Sequence, residues 1–224
     1  MRADLAEFLR TSLLILGALF PIVNPLGNAP IFLTLTREFS GATRAILARK
    51  IAFNGFVLLI VSILIGTHIL AFFGISLPVV QLGGGMVVLA SSWSLLTQKE
   101  DDGGYHESKK RPTAAALSQR AFYPLTLPLT VGPGSISVAI TLGANEPHVD
   151  HSIIFSMIGA VIGSVLIALS VYLCYAFADR LAKALGATAM SVITRLSAFL
   201  LVCIGVQIVW NGLSALLKHA LVAH

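Results

Sequence analysis

The sequence is poor in charge. Only 11% of its 224 residues are Asp, Glu, Lys or Arg, against roughly 25% in a soluble domain. That shortage excludes an ordinary water-facing surface over most of the chain. Cysteine is scarce too, with Cys174 and Cys203 the only two. Both fall inside apolar runs, so they read as reduced, buried thiols, and a disulfide scaffold is excluded. No Cys/His pair has zinc-ligand spacing, so no metal site is expected. Catalytic signatures are missing as well: there is no His-Glu-x-x-His, no P-loop, and no Ser/His/Asp or Cys/His set that a span would hold together. The chain is therefore not expected to be an enzyme and needs no cofactor. Without nucleotide machinery, any active transport is secondary or depends on another subunit.

What the chain has is apolar length. It is 56% hydrophobic, with a mean hydropathy of +0.88. Six runs, at about 12–36, 51–73, 77–97, 121–144, 152–178 and 196–217, each meet the roughly 20 residues needed to cross about 30 Å of hydrocarbon. The expected fold is all-α and integral to the membrane, in contact with the lipid bilayer, with no room for a separate soluble domain. The first run is read as a retained span rather than a cleaved signal, because it is too long and its proline pattern recurs mid-chain.

The net charge of +5 is a topology signal, not a nucleic-acid footprint. Arg37, Arg44, Arg49 and Lys50 lie between spans 1 and 2. Lys99, Lys109, Lys110, Arg111 and Arg120 lie between spans 3 and 4, and Arg180, Lys183 and Arg195 between spans 5 and 6. Only Arg2, Arg10 and Lys218 fall elsewhere, so twelve of the fifteen basic residues share one side. The positive-inside rule makes that side cytoplasmic and puts both termini outside.

Two short stretches organise the rest. Pro21-Ile22-Val23-Asn24-Pro25-Leu26-Gly27-Asn28-Ala29-Pro30 and Pro124-Leu125-Thr126-Leu127-Pro128-Leu129-Thr130-Val131-Gly132-Pro133 each sit inside an apolar run. Their prolines match (21 to 124, 25 to 128, 30 to 133) at an offset of 103 residues. Three prolines in ten residues cannot continue one α-helix, and irregular backbone is tolerated in lipid only where protein buries it or it lines a cavity. Spans 1 and 4 are therefore expected to be broken near the midplane. In the first, Asn28 is expected as the N-cap of the second half-helix, with Pro30 in its first turn. In the second, Pro133 is expected in the first turn.

Each repeat holds three spans, 1–97 and 120–224, joined by a polar linker at 98–119. Three is odd, so the second copy must enter from the opposite side, giving an inverted 3+3 repeat. Gly83, Gly84 and Gly85 in span 3 suit close packing against a broken helix, and Gly159 and Gly163 in span 5 form a G-x-x-x-G pair. Gln207 and Asn211, four apart on one face of span 6, are candidates for a supporting role at the site or for helix–helix hydrogen bonds. Trp93 and Trp210 read as interfacial anchors.

Half-helix ends at the two breaks supply N–H groups for an anion and carbonyls for a cation. A small zwitterion meets both without a charged side chain. The candidate substrate-binding residues are Asn24, Pro25, Leu26, Gly27 and Asn28 at the first break, and Thr130, Val131, Gly132, Pro133, Gly134 and Ser135 at the second. Asn24 and Asn28 are placed either to contact substrate or to satisfy freed backbone groups. No Asp, Glu, Lys or Arg lies deep in a span, which argues against a carboxylate proton relay. It leaves coupling to backbone-coordinated Na⁺, to H⁺ through another group, or simple facilitation. His68, near the outer end of span 2, reads as an interfacial histidine.

With these residues in view, the chain resembles the MarC family of six-span bacterial inner-membrane proteins. The resembling stretches are PIVNPLGNAPIFLTLT (21–36), FGISLPVVQLGGGMVVL (73–89), YPLTLPLTVGPGSIS (123–137) and RLSAFLLVCIGVQIVWNGL (195–213). The resemblance implies a multi-pass protein of the bacterial plasma membrane. Archaeal relatives of that family are similar to transporters of glycine and alanine, which implies secondary transport of small neutral amino acids. By the same resemblance, Asn24–Asn28 and Thr130–Ser135 match the family's broken-helix motifs. Export of another small solute, or a non-transporting membrane subunit, are the alternatives, and a homo-oligomer is compatible with either.

Overall fold

A computed structural model of the chain describes residues 2–97, 114–145 and 152–222. The described residues are helical. In order they form α1 (Arg2–Val23), α2 (Pro25–Leu35), α3 (Gly41–Phe72), α4 (Leu77–Thr97), α5 (Ala114–Arg120), a wide π-type segment (Ala121–Thr130), α6 (Pro133–Ala144), α7 (Ser152–Ala176) and α8 (Ala178–Val222). Five stretches among them are long and apolar enough to cross a membrane: Phe8–Leu35, Gly41–Phe72, Leu77–Thr97, Ile154–Ala176 and Thr188–Lys218. The bent pair Ala115–Thr130 and Pro133–Ala144 makes a sixth if it counts as one span. These match the six apolar runs.

The two proline-rich stretches interrupt their helices differently. At the first, a single residue leaves the helix: Asn24 adopts the left-handed conformation, φ 45° and ψ 57°. Asparagine tolerates that region better than most residues. Backbone bonds continue on both sides, from Asn24 N–H to Phe20 O at 2.9 Å and from Asn28 N–H to Asn24 O at 3.0 Å. The N-cap of α2 is Asn24, whose side chain accepts from the Gly27 N–H at 3.1 Å, and Pro25 follows at the first helical position. The expectation that Asn28 caps this helix is thus corrected. Pro25 lacks the donor that would be orphaned there anyway, so the helix starts four residues earlier.

The second stretch is irregular along its length. Tyr123 and Leu127 are extended (φ −126°, ψ 126°; φ −107°, ψ 125°), as the residues before Pro124 and Pro128 must be. The chain leaves α-geometry until Gly132, which caps α6 with Pro133 at its first position. The two arms meet at 70°. The dipeptides that open the second half-helices are Asn24-Pro25 and Gly132-Pro133, 24 to 132, an offset of 108 residues. The proline triplets alone gave 103.

Two stretches expected as links are helical. α3 begins at Gly41, capped by the Ser40 side chain accepting from Thr43 N–H at 3.3 Å, so most of 38–50 is helix. The stretch 179–195 belongs to α8 and carries one kink at Gly186, φ 75°. Glycine suits that positive φ. Most of the linker 98–119 and the outer link at 146–151 lie outside the described residues.

Small residues set the helix spacing. Gly159 and Gly163 of α7 lie against Thr11 and Ile15 of α1, and the Ser12 hydroxyl donates to Gly159 O at 3.2 Å. Gly85 of α4 and Gly205 of α8 face one another at a close crossing. Gly143 of α6 leaves no space beside α3: an added Cβ would stand 2.0 Å from Ile63 O. Such approach is what small residues permit between membrane helices.

The basic links meet at one end. Arg44, in the first turns of α3, donates from Nε to Thr36 O (3.2 Å) and Phe39 O (3.1 Å), and its guanidinium pairs with Asp179 at the start of α8. Arg120 pairs with Glu38 and lies over the Phe39 ring at 5.4 Å. One tie joins the end of span 1 to the start of α8, and the other joins it to the entry of the π-type segment.

Replacing Gly143 with Ala is expected to destabilise the protein by about 1–3 kcal/mol, because the clash is with backbone that cannot rotate away. Gly83→Ala, with open space around the added methyl, is expected to be neutral or slightly stabilising. Thermal unfolding of the two variants in detergent checks the contrast.

Candidate functional site

The two interruptions lie against one another. Asn28, 4% exposed, donates from Nδ2 to Val23 O at 3.0 Å and to Leu129 O at 2.9 Å. Val23 is the last residue of α1 and Leu129 lies at the end of the π-type segment. One amide therefore caps carbonyls freed at both breaks, which are 101 residues apart in the chain. In this structure the side chains of Asn24 and Asn28 both bond to backbone groups.

Threonine hydroxyls complete the second break. In the wide turns, Thr126 Oγ1 donates to Ala121 O at 2.7 Å and Thr130 Oγ1 to Leu125 O at 2.7 Å, while Val131 N–H reaches Thr126 O at 2.9 Å. Each of these closes a five-residue step that a regular helix would leave open. Thr130 has spent its proton on Leu125, so the Tyr175 hydroxyl of α7 donates to it at 3.0 Å. Tyr175 is fully buried and stacks on Phe32 of α2, with centroids 4.6 Å apart and ring planes 11° from parallel. α7 thus touches both breaks, one through its hydroxyl and the other through its ring. Asn54 of α3 reaches the back of the segment, Nδ2 to Thr126 Oγ1 at 3.5 Å.

The other candidate residues divide by position. Gly27 is buried between the Asn24 side chain and Ser197 of α8. Val131 is buried beside Gly55 of α3, and Gly134 beside Val88 and Gly84 O of α4. Ser135 and Pro25 are buried, and Gly132 is half-buried with Pro128 O close by. Leu26 and Pro133 are exposed. Of the glycine triplet, Gly84 lies against Ser137 and Pro133 O of the second break, Gly85 against α8, and Gly83 against nothing within 4 Å. Gln207 and Asn211 are exposed and bond to each other, Nε2 to Oδ1 at 2.9 Å. They lie on the outer face of α8, away from the breaks.

Space at the junction is small. A cavity of about 10 Å³ lies between α3, α7 and the second break, lined by Ala52, Gly55, Thr130, Val131, Ile167 and Val171 among others. That is roughly the room of one water molecule. A solute the size of glycine enters only if α3 or α7 moves away from the second break. Among the described residues, no group of three His, Cys, Asp or Glu could hold a metal ion.

A family model described as MarC family integral membrane protein matches residues 9–217. The chain belongs to the MarC family. It is 31% identical over 199 residues to the UPF0056 membrane protein YvbG of Bacillus subtilis, covering 89% of this chain and 92% of that one. It is 30% identical over 198 residues to YhcE of Escherichia coli (88% and 89% covered), and 29% identical over 202 residues to MJ1677 of Methanocaldococcus jannaschii (90% and 95% covered). Both are also named UPF0056 membrane proteins. No solved structure matches the chain. This MarC protein is therefore a multi-pass integral membrane protein in contact with the bilayer, with relatives in bacteria and archaea.

Sequence reasoning found the breaks but missed the residues that tie them together. Tyr175 carried a signal: a phenol in an apolar span needs a partner. Ser197 and Asn54 carried none that set them apart from other small polar residues. Asn28→Leu is expected to destabilise the ligand-free protein by about 2 kcal/mol, since it orphans two buried carbonyls. Asn28→Asp is expected to cost more, because a carboxylate would face both carbonyl oxygens. A thermal midpoint unchanged in both would mean that the side chain serves only substrate.

Proposed function

We propose that this MarC protein is a secondary transporter of small neutral amino acids, with its substrate site at the junction of the two interrupted spans. The observation that carries the reading is the Asn28 bridge. It brings together two stretches of irregular backbone at membrane depth, where such backbone belongs to binding sites and cavities. The start of α6 has no side-chain cap for its N–H groups and suits a carboxylate; the carbonyls of the π-type segment suit an ammonium group or Na⁺. No catalytic or cofactor chemistry enters the reading.

The packing supports an inverted repeat of 1–97 and 120–224. Exchanging the first three spans with the last three maps the contacts of α1 and α2 with α7 onto those of the π-type segment and α6 with α3. It maps α2–α8 onto α6–α4, and α3–α7 and α4–α8 onto themselves. In this reading α3 and α7 are the gates, each packed across the other repeat's break. The ends tied by Arg44–Asp179 and Arg120–Glu38 are cytoplasmic by their basic residues, with both termini outside the bacterial plasma membrane. The present packing is then a closed state.

Purified protein in liposomes is expected to take up labelled glycine or alanine under either a Na⁺ or an H⁺ gradient, tested separately. Thr130→Val, which removes the hydroxyl between Leu125 and Tyr175 at similar volume, is expected to lower uptake at least tenfold while the protein stays folded, as loss of about 1.4 kcal/mol or more of transition-state stabilisation would require. No uptake from well-folded protein under any gradient would contradict the amino acid assignment and favour another solute or a non-transporting role.

A further inference from the structure

Between α3, α5 and the π-type segment lies an open cavity of about 500 Å³, lined by Arg49, Lys50, Phe53, Asn54, Ser118 and Phe122. It is separate from the small cavity at the junction and far larger. Its chemistry is lopsided: two cations, a hydroxyl and an amide face it, and no carboxylate is among its lining residues. The neighbouring arginines behave otherwise, since Arg44 and Arg120 are each neutralised by an acidic partner. Arg49 has no ion pair among the described residues, and Lys50 donates to the Ser118 hydroxyl, which is neutral. Two adjacent cations, with no counter-charge among the described residues and turned into one cavity, favour an anion there. A guanidinium beside an ammonium suits phosphate oxygens in particular.

The mouth of the cavity is apolar. Phe53 is 66% exposed and Phe122 46% exposed. Each lies further along its span from the charged end than the cations or hydroxyl of the same wall: Phe53 follows Arg49 and Lys50 in α3, and Phe122 follows Ser118. The cations and the hydroxyl therefore lie toward the basic end and the aromatic surface toward the hydrocarbon, with the Asn54 amide next to Phe53 in sequence. Basic pockets between spans on that side suit lipid headgroups.

We propose that this cavity binds the phosphate group of an anionic ligand, held by Arg49, Lys50, Ser118 and Asn54, and that the aromatic mouth favours a phospholipid as its source. Because Asn54 also reaches Thr126, an occupied site would brace the π-type segment from behind.

The test is thermal unfolding of the full chain in detergent with added dioleoyl phosphatidylglycerol, dioleoyl phosphatidylcholine or sn-glycerol 3-phosphate. Arg49→Gln and Ser118→Ala serve as site variants, and Lys183→Gln, exposed on α8, as a control. The expected result is an upward shift of the midpoint with phosphatidylglycerol that phosphatidylcholine does not give, lost in Arg49→Gln, reduced in Ser118→Ala and retained in Lys183→Gln. An equal shift with glycerol 3-phosphate and the same dependence on Arg49 would uphold the phosphate site with a soluble source. Equal shifts with both lipids, or a shift lost as readily in Lys183→Gln, would overturn the proposal.

Discussion

Every freed backbone group in an apolar bundle needs a partner, and the Asn28 amide is where this fold meets that demand. Prolines interrupt the helices in both stretches and release carbonyls among buried residues, where they need a partner within the protein. One side chain answers for Val23 and Leu129 together, so the two breaks must lie side by side. The rest of the site follows from that contact. Thr126 and Thr130 settle carbonyls within the wide turns, and Tyr175 links the second break to Phe32 beside the first. The glycines at 27, 84 and 134 let α8, α4 and α6 close around the pair.

The two breaks are unequal, and the inequality has a local cause. In the first stretch Pro21 and Pro30 fall inside helices and Pro25 at a helix start, so one left-handed asparagine absorbs the whole interruption. In the second, Pro124 and Pro128 each force the residue before them into extended backbone, and the disturbance runs from Ala121 to Gly132. The first break is therefore nearly a continuous helix, while the second is a 70° corner. A corner supplies more unpaired backbone and more freedom to move than a single kinked residue. Under the transport function proposed above, the second break is the better candidate for the part that rearranges.

Much of the architecture was legible from residue patterns. Apolar runs located the membrane-spanning helices because hydrocarbon demands length and apolarity and little else. The proline triplets located both interruptions because proline's geometry is local. Their internal register was not legible: equal spacing paired Pro25 with Pro128, whereas helix starts pair it with Pro133. A proline's effect depends on whether its missing donor falls at a helix start or inside a turn, and spacing alone does not encode that. The helical starts of α3 and α8 were hidden because their polar, basic sequences read as links. Gln207 and Asn211 shared a face, as their spacing implied, but that face points outward. Which side of an apolar helix turns inward is decided by tertiary packing, and a span apolar all round gives no moment to read.

The central claim is that the packed junction of the two breaks opens to water during function. It is tested most directly by the reactivity of Val131→Cys in a chain whose Cys174 and Cys203 are replaced by Ala. Val131 is 1% exposed beside the junction cavity, and a thiol reacts only where water admits its thiolate. The account predicts slow labelling by a membrane-impermeant maleimide in proteoliposomes, at a rate that glycine or alanine changes. A folded protein that resists labelling from both sides of the membrane, with and without amino acid, would contradict it.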